Sequence, residues 1–171
     1  VADTRFSVDR GFYTAPLTVG ITTATAGATI RYTTDGSAPS ATSGTVYTGP
    51  ITISTTTVLR AAAFKPGYVP SDVDTQTYIF PDAVVAQTGA GMPSGWGHAG
   101  PDYEMDPDVV NNPLYAPTIR DDLRAIPTLS IAMNQNDLFG AGGAMSPLLA
   151  AWAPNLLFGA AAVYLLLTVR T

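Results

Sequence analysis

The sequence predicts a mainly β protein: an antiparallel β-sandwich, a loop-rich extension with short helices, and one C-terminal transmembrane helix. Three observations carry this. Residues 6–80 are rich in Thr, Gly, Pro and β-branched side chains, and several short windows alternate with period two. Residues 81–140 lose that alternation and hold loop and capping signals. From Leu138 to Val169 there is no charged residue. Boundaries at 1–80, 81–140 and 141–171 follow from these composition changes. With 171 residues there is no room for two full-sized domains.

In the first region the clearest strand carries Ala15, Leu17, Val19 and Ile21 on one face. In the next, Ile30 and Tyr32 face one way and Thr29, Arg31 and Thr33 the other, and Asp35-Gly36 then supplies a turn that tolerates positive φ. Further strands are expected at 51–53 after Gly49-Pro50, at 57–64 before Lys65-Pro66-Gly67, and at 73–80. Close spacing without an intervening helical period indicates a sandwich rather than βαβ units, and an immunoglobulin-like one is expected.

Ile30-Arg31-Tyr32-Thr33-Thr34-Asp35-Gly36-Ser37, then Pro39, Tyr47-Thr48-Gly49-Pro50-Ile51, and Leu59-Arg60-Ala61 with Phe64 resemble the small module at the C-terminus of chitobiases and β-hexosaminidases. The resemblance implies an immunoglobulin-like accessory fold of extracytoplasmic bacterial proteins that carries no catalytic residue. A sugar-binding role would need exposed aromatic side chains, and Tyr13, Tyr47 and Tyr68 are the candidate glycan contacts. The alternative is that these tyrosines fill the core or cap its corners, as half-buried strand tyrosines commonly do.

In the extension, Thr88 to Pro101 reads as loop. Asp106-Pro107-Asp108 reads as a helix start, with Asp106 as N-cap, and Asn112-Pro113 ends that helix. A second helix is expected from about Pro117 to Ala125, with Ile119, Leu123 and Ile126 on one face, then a strand from Thr128 to Met133 and a turn from Asn134 to Gly140. Residues 103–111, Thr118 to Leu123, Ile126 to Ile131 and Asp137 to Gly140 resemble the opening segment of the spore-coat-protein-H-like (CotH) kinase family, which commonly follows a chitobiase-type sandwich. The similarity ends where the catalytic part of such a kinase would start, so no kinase residue and no kinase activity is carried over.

Ser146 to Val169, as a helix, spans about 36 Å, enough for a hydrocarbon core of about 30 Å. Its Leu, Val and Phe side chains contribute about −3 to −6 kcal/mol of insertion, offset in part by Pro147, Pro154 and Asn155. Trp152 fits an interfacial aromatic. Leu156, Phe158, Gly159, Ala162 and Leu166 are expected to span the bilayer and pack against neighbouring helices, the small residues permitting close approach. Arg170 after the span puts the C-terminus in the cytoplasm and the sandwich in the periplasm of a bacterial inner membrane. A buried helix of a soluble domain is the alternative. Ser146 to Gly159 also resembles the last membrane segment of lipopolysaccharide-export permeases. Val1 in place of Met, with no apolar run in the first ten residues, is read as a processed or trimmed start.

Net charge −5 with a single lysine, Lys65, argues against a nucleic-acid partner. The absence of cysteine removes disulfides, thiolate metal sites and thiol nucleophiles. Asp102, Glu104, Asp106 and Asp108 have the oxygen chemistry of a Ca²⁺ loop but lack the glycine and closing Glu of an EF-hand, and an acidic helix cap is the reading taken. His98, the lone histidine, has no partners for a triad or metal site. No cofactor, metal or catalytic residue is expected, and the chain is not read as an enzyme. The expected function is that of a non-catalytic, membrane-anchored extracytoplasmic subunit. Its sandwich and single helix would dock with or stabilise the integral subunits of a larger membrane protein complex. The alternative is a surface carbohydrate-binding module.

Overall fold

The computed structural model describes residues 1–90, 103–130 and 132. Among them, nine strands precede three short helices: β1 (Thr4–Phe6), β2 (Gly11–Phe12), β3 (Leu17–Val19), β4 (Ile21–Thr23), β5 (Thr29–Thr33), β6 (Thr45–Val46), β7 (Ile51–Ile53), β8 (Thr57–Phe64), β9 (Asp74–Ile79), α1 (Pro81–Val85), α2 (Pro107–Val110) and α3 (Ile119–Ala125). The mainly β class is therefore observed, and the layers are those of an immunoglobulin-like sandwich. One sheet has the order β2-β9-β8-β5-β6, and the facing layer is made of the pairs β1-β4 and β3-β7. Every pairing is antiparallel except β2 with β9, so the first two strands are divided between the two layers.

The core lies where the period-two pattern puts it. Val19, Ile21 and Ile53 of the smaller layer meet Ile30, Leu59, Ala61, Ala63 and Tyr78 of the five-stranded sheet, and Phe80 closes one end. The alanines of β8 allow its neighbours to approach closely. Ile30 pairs with Ala63 and Tyr32 with Ala61 on the inner face, while Thr29 pairs with Phe64 and Arg31 with Ala62 on the outer face.

The strand expected across Ala15 to Ile21 is two strands, β3 and β4, divided at Gly20. The division marks a change of partner. β3 pairs with β7, whereas Gly20 turns to Ser7, donating its N–H to Ser7 Oγ at 2.7 Å and accepting from Ser7 N–H at 2.9 Å, and β4 continues along β1. The expected strand 73–80 is shorter, because Thr56 Oγ1 accepts the Phe80 N–H at 3.0 Å and Pro81 then opens α1, a helix not among the expected elements.

In the extension, α2 starts as expected, with the Asp106 side chain accepting the Asp108 N–H at 2.8 Å, and α3 lies within the expected second helix. The strand expected from Thr128 does not form among the described residues. Residues 127–130 have no ladder partner, and their tie to the sandwich is the 2.7 Å hydrogen bond between the Ser130 and Thr77 hydroxyls. The expected turn at 134–140 and the expected transmembrane helix lie outside the described residues. Among the described residues no helix is long and apolar enough to cross a membrane.

Candidate functional site

The three candidate tyrosines have different surroundings. Tyr47 points inward against the core, and its hydroxyl accepts the Ile21 N–H at 3.0 Å, supplying a partner where β4 leaves β3's ladder. Tyr13 stacks at 5.8 Å from Tyr78 and 6.3 Å from Phe80, and its hydroxyl donates to the Asp9 carbonyl at 2.6 Å. Both anchor loops. Tyr68 is 59% exposed and lies beside a groove.

That groove, of about 390 Å³, is open to solvent and sits on the outer face of the five-stranded sheet. Thr29 and Arg31 of β5 and Phe64 of β8 contribute one side, Ala41 another, and the β8–β9 connection, Lys65 to Tyr68 with Pro70, the rest. The connection is built by a four-residue turn. Tyr68 N–H donates to the Lys65 carbonyl at 3.1 Å, Pro66 occupies the position that wants φ near −65°, and Gly67 has φ +79°, where a side chain would be strained. A turn of this kind brings its first and fourth residues together, and the Lys65 ammonium lies 4.9 Å from the Tyr68 ring centroid.

Both cations of the groove are held by neutral acceptors. Lys65 Nζ donates to the Ala26 carbonyl at 2.9 Å, and Arg31 Nη1 donates to the Gly44 carbonyl at 2.8 Å. Gly44 is obligatory there, since its φ is +90° and a Cβ would sit 2.9 Å from the Tyr32 carbonyl. The ion pairs among the described residues are Arg120–Asp82 and Arg124–Asp121, so neither Arg31 nor Lys65 has a carboxylate partner. Among the described residues no acidic side chain lines the groove. The site is thus an exposed aromatic ring flanked by two positioned cations, on a wall completed by Thr29, Ala41, Phe64, Pro66, Gly67 and Pro70.

The sequence reading singled out Tyr68 but neither Arg31 nor Lys65 as its neighbours. The available signal was Lys65-Pro66-Gly67-Tyr68, whose turn geometry pairs the lysine with the tyrosine. Arg31 is brought in by the β5–β8 register. Asp106 is engaged as a helix cap, and among the described residues no group of three or more His, Cys, Asp or Glu side chains is placed to hold a metal ion. His98, Asp102, Trp152, Leu156, Phe158, Gly159, Ala162 and Leu166 lie outside the described residues.

A second surface is apolar. α2 and α3 bury no residue, and Leu114, Tyr115, Ile126 and Leu129 around them are exposed, Leu114 at 72% and Leu129 at 84%. Arg120 of α3 pairs with Asp82 of α1, and Gln87 Nε2 donates to the Tyr103 carbonyl, so polar ties hold this segment to the end of the sandwich.

Residues 8–75 match the family model of the chitobiase/beta-hexosaminidase C-terminal domain, in agreement with the resemblance carried by the β5 and β8 motifs. The match covers less than half of the chain and stops before α1, so the kinase-type and permease-type resemblances fall outside it. No curated protein and no solved structure matches the chain.

Proposed function

We propose that the chain is a non-catalytic accessory subunit that docks on a larger membrane protein complex, with the sandwich as a rigid extracytoplasmic body and the extension as part of the docking surface. In this reading the apolar stretch 146–169 anchors it in a bacterial inner membrane, with the C-terminus cytoplasmic and the sandwich periplasmic. The observation that carries it is the contrast in burial. The sandwich closes its own core, whereas Leu114, Tyr115, Ile126 and Leu129 are exposed around two helices in which no residue is fully buried. Large apolar side chains left in water within one short segment, 114–129, favour a surface that a partner covers.

The test is site-specific photo-crosslinking from Leu114 and Leu129 in native membranes, with Arg5 on β1 as the control position. We expect one discrete adduct with an integral membrane protein from the two extension positions and none from the control. Recovery of uncrosslinked monomer alone, or equal labelling from all three, overturns the proposal.

A second reading, a surface carbohydrate-binding module, is favoured by one specific observation: Tyr68 is exposed beside a groove with two positioned hydrogen-bond donors, the combination of flat apolar ring and polar rim that sugar rings require.

A further inference from the structure

We infer that the groove beside Tyr68 takes an anionic saccharide, with a sugar carboxylate held by Lys65 and Arg31 and the sugar's C–H face against the Tyr68 ring. This rests on the carbohydrate-binding reading and adds the charge of the ligand to it.

The argument is one of charge complementarity and preorganisation. The chain as a whole carries −5, with 13 acids against 8 bases, yet among the described residues the groove wall contains two cations and no acid. Lys65 is the single lysine of the sequence, and it stands at this groove. Each cation is fixed by a carbonyl oxygen rather than neutralised by a carboxylate, and Lys65 also rests on the tyrosine ring. A carbonyl uses one donor of an ammonium that has three and of a guanidinium that has five, so donors remain for a ligand oxygen. Because both groups are already held in place, little side-chain entropy is lost when a ligand carboxylate arrives. An uncharged sugar would use the ring but leave both cations uncompensated. A simple inorganic anion would use the cations but leave Tyr68, Phe64, Pro66 and Pro70 without a counterpart. A carboxylated sugar uses both.

The experiment is titration of the full chain in detergent micelles with trigalacturonate, its neutral counterpart galactotriose, chitotriose and triglutamate, read by calorimetry and by the chemical shifts of Tyr68 and Gly67. The variants are Lys65→Gln, Arg31→Gln, Tyr68→Ala, and Arg5→Gln as a cation remote from the groove. We expect trigalacturonate to bind, to weaken as salt rises, and to lose about three- to tenfold in affinity with either groove cation neutralised and with Tyr68→Ala, while Arg5→Gln binds as the parent does. Unchanged melting of each variant separates a lost contact from a lost fold. Binding of galactotriose or chitotriose as tightly as trigalacturonate, sensitive to Tyr68→Ala and not to Lys65→Gln, overturns the anionic inference and leaves the carbohydrate reading standing. Triglutamate binding as well as trigalacturonate overturns the saccharide. No binding by any of the sugars overturns both readings.

Discussion

The sandwich and the extension are joined within a few residues, yet they are stabilised by different means. In the sandwich, Leu59, Val19 and Tyr78 are completely buried, and the Tyr78 hydroxyl donates to the Val8 carbonyl at 2.8 Å, so the polar end of that buried ring is satisfied. In the extension, no residue of α2 or α3 is fully buried, Val109, Val110, Ile119 and Leu123 being half-buried, and the segment is tied by caps, short turns and two surface ion pairs, which are worth little in water. A segment held by local hydrogen bonds and exposed ion pairs sits at the low end of the local stability range. Among the described residues the buried apolar core therefore lies in the sandwich, and the neighbouring segment leaves Leu114, Tyr115, Ile126 and Leu129 exposed.

The strongest test of that contrast is a truncation in the core. Leu59→Ala removes a fully buried side chain between the layers, where the alanines of β8 offer nothing to refill the space. It should cost about 3 kcal/mol in chemical denaturation. Leu129→Ala, at 84% exposure, should change stability by less than about 0.5 kcal/mol. Comparable losses from the two would mean that the extension is part of the core after all.

A second test uses the ionisation of Tyr78. Burial, reinforced by Tyr13 and Asp9 nearby, pushes its hydroxyl from 10.0 up to about 12. The folded protein therefore holds this proton more tightly than the unfolded chain. The corresponding stability is complete below pH 10, where the unfolded phenol is still protonated, and is lost as pH rises towards 12, by about 2 kcal/mol. Denaturation midpoints measured across that window should fall for the parent and fall less for Tyr78→Phe. An identical decline in both proteins would place the alkaline sensitivity elsewhere.

How legible these two regions were follows from the same physics. Period-two alternation exists only because one face is buried, and β5, β7 and β8, each with core residues on one face, were found at their observed bounds. The partner change at Gly20 was not legible, because it depends on Ser7 and Tyr47, which lie elsewhere along the chain. In the extension, the local signals Asp106-Pro107 and Asn112-Pro113 were legible because capping is decided within a few residues. The strand expected from Thr128 rested on alternation alone, and among the described residues it has no neighbouring strand to pair with. The groove was half legible: exposure of Tyr68 and the nearness of Arg31 are tertiary facts, whereas the lysine–tyrosine pairing was written in a four-residue turn.

A local substitution in the extension asks most directly whether the two regions unfold together. Asp106 caps a helix of a single turn by accepting the Asp108 N–H at 2.8 Å, and the Val109 and Val110 N–H groups donate to its carbonyl, each at 2.9 Å. Asp106→Ala leaves those carbonyl bonds possible but removes the side-chain acceptor, a loss of about 1 kcal/mol confined to this turn. Amide exchange at Asp108 should accelerate about fivefold, while exchange at Leu59 and Ala61, which reports on opening of the whole sandwich, should not change. The cap lies far along the chain from every strand, and α2 contributes no side chain to the core, so there is no packed route by which its fraying would reach β8. Faster exchange at Leu59 in this variant would require such a route, and the division between a self-sufficient sandwich and a partner-dependent extension would then fail.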